Sequence, residues 1–477
     1  MTASASPTPV EDKSGRFFGF EFPDFSTLKD HQVQTIIYAK NVQKLGIATL
    51  SYGGTIYLAE NGASQIQVTL VAVTGYVAAL LFGAQGGLVV DAVAKRVAMA
   101  LGYAVMAVLC FVVPIVFGTD VVDLIFLAFM VSVVATITSP AIKATVAVVA
   151  TPAAMATVAS MLNLFGSIGT AVGQAFVAPI LIKVSGINAC MFGAGIILAT
   201  GAIWSLKIQD EPGRKSAKDA IRDTNWKPRA LNLRGIARWV TSVPAISTII
   251  LVGSIVVALG ETVGSLIPVY VRDVLDTDPV YSIYVFAPAG LGYLAGMLTA
   301  PWLIKVLGER RFAFAAFGVM AIGVMLFGLV DYVAPFLAPI SPTRIFELFG
   351  ADLNDKMLAA GFISIPANYG STATGAAVQN YVNARVPLVN QGGVFGMEEV
   401  IDNALTIVAM VSLGVLATWL GSEFVFIVAP LAILAIVIWL IRYSARRAGE
   451  AIPTSRAVVE ELWVGPAETP ESDRGNK

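Results

Sequence analysis

From about residue 33 to about residue 443 the chain repeats one pattern: a run of twenty or more mostly apolar residues, then a short polar break. Roughly 20 apolar residues cross about 30 Å of hydrocarbon as a helix. No alternation of period two accompanies the runs, and lipid offers no water for free backbone groups, so the runs predict helices. They lie at about 33–58, 66–90, 97–118, 121–149, 155–184 and 187–206, then at about 244–270, 280–305, 312–331, 357–383, 393–420 and 422–443. The expected fold is an all-α membrane protein of about twelve spans. The breaks divide it into an N-terminal segment 1–32, a six-span half 33–207, a central loop 208–243, a second half 244–445 and a tail 446–477. The longest connection, 332–356, carries Pro335, Pro339 and Pro342 and is expected to be either a short lid helix or a tolerated loop.

Composition agrees, with 56% hydrophobic and 13% charged residues and a mean hydropathy of +0.76. A net charge of −1 argues against nucleic acid as a partner. Cys110 and Cys190 both lie in apolar runs, where a disulfide or a zinc site is implausible, and His31 is the only histidine. No metal, cofactor or redox chemistry is expected. Residues 1–30 are polar and acidic rather than a secretory signal, and their Phe17, Phe18, Phe20, Phe22 and Phe25 suit a membrane interface.

The positions of Lys and Arg give sidedness. Lys95 and Arg96, the loop from Arg214 to Arg238, Lys305, Arg310 and Arg311, and finally Arg446 and Arg447 fall in alternate breaks, which are therefore read as cytoplasmic. The other breaks carry Asp120, Asp123, Asp273, Asp276, Asp278 and Glu423. Both termini are expected in the cytoplasm, and the membrane is expected to be the plasma (inner) membrane.

The two halves look related. Gly83 and Gly87 of span two match Gly292 and Gly296 of span eight at one offset, and Val158, Met161 and Asn163 of span five match Val394, Met397 and Glu399 of span eleven at another. Between spans two and three, Gly87-Leu-Val-Val-Asp91-Ala-Val-Ala-Lys95-Arg96 resembles the cytoplasmic signature of the major facilitator superfamily. Six plus six spans and a basic central loop are similar to that family as well. The resemblance implies a transporter with a central cavity, in which Gly87, Asp91, Lys95 and Arg96 form a cytoplasmic gating latch; an acid near a helix N-terminus is stabilised there. Ala92 and Ala94 stand where the signature commonly has Arg and Gly, span four lacks a membrane arginine, and Gln174 follows Gly173 where the drug-antiporter pattern has Pro. Pro140-Ala141 and the segment Thr151 to Asn163 look similar to the macrolide- and siderophore-exporter branch.

A charge at the bilayer centre costs about 2.5–3.5 kcal/mol on insertion scales, so each needs a reason. Spans three, six, nine and twelve, peripheral in the family's fold, have none in their interiors. Span one has Lys40 and Lys44, span four Lys143, span seven Glu261, and span eleven Glu398, Glu399 and Asp402. Lys40 either takes part in solute or proton coupling or snorkels to the interface, whereas Lys44 either faces the cavity or joins a structural ion pair. Glu261 is either the proton-exchanging carboxylate or half of a permanent pair with a lysine. Glu398 and Asp402 share a helix face and would titrate together; Glu399, and with it Glu398, could instead lie at the cytoplasmic helix start, and Asp402 is deeper. Asn163 and Gln174, with Asn368, Gln379, Asn380 and Asn383, either bind solute or join helices.

These observations favour a secondary transporter working by alternating access, coupled to protons through Glu261 or Asp402, and monomeric. Mixed lysines and acids suggest a polar, anionic or zwitterionic solute. No phosphate-binding loop is present, so a gradient would supply the energy. The rivals are a non-transporting assembly factor or sensor of the same fold, whose cavity would be collapsed by ion pairs, and a lipid translocase with an apolar lateral opening. An enzyme would need a catalytic constellation that the sequence does not display.

Overall fold

The computed structural model describes residues 16–17, 20–21, 29–92, 94–150, 155–209, 244–385 and 388–448. The central loop, most of the first 28 residues and the tail after Ala448, with the aromatic and basic features expected in them, lie outside the described residues. The helices are α1 (His31–Glu60), α2 (Gln65–Ala92), α3 (Lys95–Val116), α4 (Val121–Val149), α5 (Met155–Val172) and α6 (Ala178–Ser205), then α7 (Pro244–Asp273), α8 (Ile283–Leu307), α9 (Glu309–Gly328), α10 (Asp355–Arg385), α11 (Leu388–Leu420) and α12 (Ser422–Ala448). A two-residue strand pair, Arg16–Phe17 with Phe20–Glu21, precedes them.

Span five continues from α5 through a π-helical turn, Gly173–Val177, into the start of α6. The chain then reverses at Ser185 and Gly186, where the backbone leaves helical geometry and Gly186 takes φ 73°. That conformation suits a residue without Cβ. Twelve spans result, as the apolar pattern predicts. Nine stretches among the described residues are long and apolar enough to cross a membrane by composition alone, and one of them, Met161–Ser205, holds both spans five and six. The helices that fall short are α1 and α10, whose polar residues interrupt their apolar runs.

Helix packing repeats under a shift of six. In the first half α1 packs on α5 and α6, α2 on α4, and α3 on α4 and α6. In the second, α7 packs on α11 and α12, α8 on α10, and α9 on α10 and α12. Each half has its own apolar core, one around Tyr103, Met106 and Leu198, the other around Tyr270, Phe327 and Phe426. Small residues allow the closest crossings. A Cβ on Gly292 would come within 2.0 Å of the Ile365 carbonyl oxygen, and one on Gly169 within 2.6 Å of that of Asn41. Gly83, matched to Gly292 in sequence, faces open space instead, so the glycine correspondence does not extend to packing.

Helix direction alternates, so the connections α2–α3, α4–α5, α8–α9 and α10–α11 share one face of the bundle, called the terminal face below. On the opposite face, residues 330–354 form an ordered cap rather than a loose loop: a short helix, Val330–Leu337, then 3₁₀ turns at Ala338–Ile340 and Pro342–Phe349. Ser341 and Thr343 donate to the Leu358 carbonyl, and Asn354 donates to that of Leu275. Lys356 pairs with Asp276 at 3.0 Å and Asp331 at 2.9 Å, and these hydrogen bonds raise its pKa.

Candidate functional site

The membrane-embedded charges converge between the halves. Lys44 lies about 20 Å into α1 at 1.5 Å per residue. It is enclosed by protein yet its side chain is exposed, so it stands on the wall of an internal open space. Of the charges around it, Glu261 of α7 acts most strongly, followed by Lys143 and Glu399. Glu261 is exposed to the same space, and the Tyr76 hydroxyl of α2 is turned toward its carboxylate. Among the described residues neither Lys44 nor Glu261 has a direct ion pair, so their attraction crosses a gap.

Lys40 is buried rather than snorkelling, only 7% exposed, with its Nζ 3.4 Å from Ser139 Oγ of α4. The reason is a neighbour the helix pattern of α1 could not show. Gly166 of α5 leaves room for the stems of both lysines, since a Cβ there would sit 3.4 Å from Lys40 Cγ and 3.6 Å from Lys44 Cγ. Asn41 fixes the same crossing by donating to the Phe165 carbonyl at 2.7 Å.

On α11, Glu399 is the twelfth residue, well past the first turn, so it does not occupy the helix start. It faces Lys143 at 3.9 Å, both side chains about two-thirds exposed. Glu398 and Asp402 lie one turn apart and repel. Asp402 adjoins Ser254 of α7. The contact is too loose to be a hydrogen bond, leaving Asp402 Oδ1 and Ser254 Oγ without partners, like Thr406 Oγ1 one turn further on. Asn163 is exposed on α5, Asn368 donates back to Ser364 O within α10, and Asn380 joins α10 to α9 by donating to Glu309 Oε1. Lys95 and Arg96 open α3, but the side chains of Gly87 and Asp91 lie outside the described residues, as does that of Asn383.

Several contacts between the halves among the described residues lie at the opposite face. Arg272, at the end of α7, donates from one guanidinium nitrogen to the Ala59 carbonyl at 2.7 Å and the Ala63 carbonyl at 3.1 Å. Ala59 lies in the last turn of α1, where a cation is favoured, and already accepts from the Gly62 N–H at 3.1 Å; Ala63 follows in the turn between α1 and α2. Asp273 accepts from the rest of the guanidinium at 2.6 and 3.1 Å. Gln65 reaches the Leu266 carbonyl at 3.4 Å, Ile66 N–H donates to Thr418 Oγ1 at 3.1 Å, and Lys183 donates to the Tyr281 hydroxyl at 3.3 Å. Glu60, past the apolar part of span one, meets Asp278; burial first and this second carboxyl next push its pKa up to about 7. Arg272, Glu60 and Tyr76 were not apparent as site residues in the sequence. The signal available was Arg272 itself, a cation on the face that otherwise collects acids.

An internal space lined by Lys44 and Glu261, neither in an ion pair among the described residues, together with contacts between the halves on one face, fits the architecture of a membrane carrier. The family model described as Major Facilitator Superfamily matches residues 44–351, and the chain belongs to that superfamily. The fold is shared with solved structures at low identity. One is the nucleoside transporter NupG, 13% identical over 86% of this chain and 98% of that one, TM-score 0.63. Others are a bacterial homologue of the iron transporter ferroportin in an inward-facing state, 12% identical over 87% and 98%, TM-score 0.59, and a D-xylose-proton symporter, 12% identical over 84% and 96%, TM-score 0.59. A comparison with curated proteins gives no match.

Proposed function

We propose that the protein is a secondary active transporter that moves a small polar or amphipathic solute by alternating access. The observation that carries this reading lies at Lys44 and Glu261: the two charges, one from each half, face an open midplane space with no ion pair among the described residues, while Arg272 and Gln65 join the halves on one face. A collapsed, ion-paired cavity would have favoured the non-transporting rival. The terminal face is cytoplasmic in the plasma (inner) membrane, as the Lys and Arg distribution supports, and with the opposite face held by Arg272 the resting form opens inward. Rocking of the halves breaks the Arg272 latch and closes the cytoplasmic face, where Gly87, Asp91, Lys95 and Arg96 act as the gate.

Proton coupling runs through Glu261, which Tyr76 and Lys44 adjoin in the open space, or through Asp402, whose Oδ1 has no hydrogen bond. The proton symporter among the structures of the same fold is in keeping with this. Transport is outward, supported by the likeness of Pro140-Ala141 and Thr151 to Asn163 to exporters.

Val257, one turn before Glu261 and itself exposed, supplies the test. Native Cys110 and Cys190 are buried, so a Val257→Cys variant in oriented proteoliposomes reports on the cavity. An impermeant maleimide should label it from the cytoplasmic side at rest, and from the other side once a proton gradient or saturating solute drives the cycle. Labelling from one side under every condition would move the protein to the non-transporting class.

A further inference from the structure

The charges within the spans are sorted by half. Lys40, Lys44 and Lys143 all belong to α1 and α4 of the first half, whereas Glu261, Glu398, Glu399 and Asp402 all belong to α7 and α11 of the second. If these groups served only to tie helices together, acids and bases would also be expected to pair inside each half. Here like charges are neighbours within each half: Lys44 and Lys143 both repel Lys40, and Asp402 repels Glu398. Opposite charges meet only across the gap, loosely at Lys143 and Glu399, and without contact at Lys44 and Glu261.

We propose that the cavity selects a small zwitterion and fixes its direction, the anionic group on Lys44 and Lys143 of the first half and the cationic group on Glu261, steadied by Tyr76, of the second. This inference rests on the transporter reading and names the solute class for it. A zwitterion brings a counter-charge to each wall at once and draws them together, which a lone anion or cation, touching one wall, does not. Binding energy is thereby directed to closing the cytoplasmic face, since a solute shifts a conformational equilibrium only by its differential contacts in the two states.

The test uses the full-length protein in nanodiscs and matched probes of increasing chain length. These are the ω-amino acids from β-alanine to 8-aminooctanoate, with the alkanoate and the alkylammonium ion of each length. Binding is read as a thermal shift against concentration. At one or more lengths the amino acid should bind about tenfold or more tightly than either singly charged analogue, and Lys44→Gln or Glu261→Gln should each weaken it by about tenfold or more. Glu261→Gln should also reverse the order, so that the alkanoate binds better than the amino acid; a variant that merely misfolds cannot gain an anion in this way. Equal or tighter binding of an alkanoate or alkylammonium to the unmodified protein overturns the proposal, as does the absence of any shift across the series. Solute counterflow in proteoliposomes separates the two readings. An alkanoate that binds and exchanges keeps the transporter and removes the zwitterion; an amino acid that binds in the sorted orientation but never exchanges keeps the site and removes transport.

Discussion

The two faces of the bundle are held differently. At the face opposite the chain ends, the Arg272 guanidinium enters the C-terminal end of α1 and bonds two backbone carbonyls, with Asp273 behind it. On the other side of the midplane, the ion pair described between the halves is Lys143 with Glu399, inside the spans, at 3.9 Å, with side chains 65% and 64% exposed. A charged donor on a backbone carbonyl gives a strong, directional contact, and such carbonyls come within reach where α1 ends and the chain turns. An exposed pair in water contributes about 0–1 kcal/mol. The firmer contact is thus the one where a helix ends, and on that face the Gln65, Ile66 and Lys183 hydrogen bonds join it.

The largest effect is expected from removing that latch. Arg272→Ala should shift the equilibrium toward the form open on the opposite face by about 1.5–3 kcal/mol, roughly ten- to a hundredfold in population. Spin labels at the exposed Val122 and Tyr332, one in each half, would read this as a longer distance; an unchanged distribution would assign the closure to the apolar contact of Tyr52 with Phe286, rings 5.0 Å apart.

Glu60 should make the same latch sensitive to pH. Below about pH 4.5 its carboxyl is protonated whether the face is open or closed. As pH rises toward about 7 the closed form retains the proton and the open form loses it, so closure weakens through that window and levels off above it. The group is partly exposed, so after screening the effect is about 1 kcal/mol. The charges facing it on neighbouring elements are Asp278 directly and the Arg272–Asp273 pair beside it. Glu60→Gln should flatten the pH dependence of the spin-label distances, whereas a profile unchanged in the variant would assign the titration to another group.

The cap offers a control that belongs to one half only. Lys356→Met removes the contacts with Asp276 and Asp331 and should lower thermal stability by about 1 kcal/mol without altering which face is open. Because hydrogen bonding raises the lysine pKa, its contribution persists through neutral pH and is lost only as pH rises above the ordinary lysine range. The smallest effect is expected on the other side of the midplane, where Lys143→Gln should change stability by no more than about 0.5 kcal/mol. A larger loss in calorimetry would mean that this side, too, is held by charge.

The spans were legible because insertion in lipid is decided by local composition, which a sequence carries in full. Even α1 and α10 could be placed from their surroundings despite their polar residues. The embedded charges were legible for the same reason, each being an exception to a strong rule. What they touch was not. Lys40 reads as an interfacial lysine on α1 alone, and only the approach of Gly166 and Ser139 makes it a buried one. Glu399 reads as a helix-start acid until the helix is found to begin at Leu388. Arg272 escaped notice because its acceptors are 213 and 209 residues away in the other half, and no periodicity relates such positions.

The π-turn at Gly173–Val177 has a consequence for how span five can change over generations. A π-turn holds one residue more than the α-helical turn it replaces. Single-codon deletion inside an ordinary membrane helix rotates everything beyond it by about 100° and scrambles its faces. Within these five positions the same deletion would tighten the turn into regular helix, making this a stretch where the reading of the gene can lose a residue and the span can still be written.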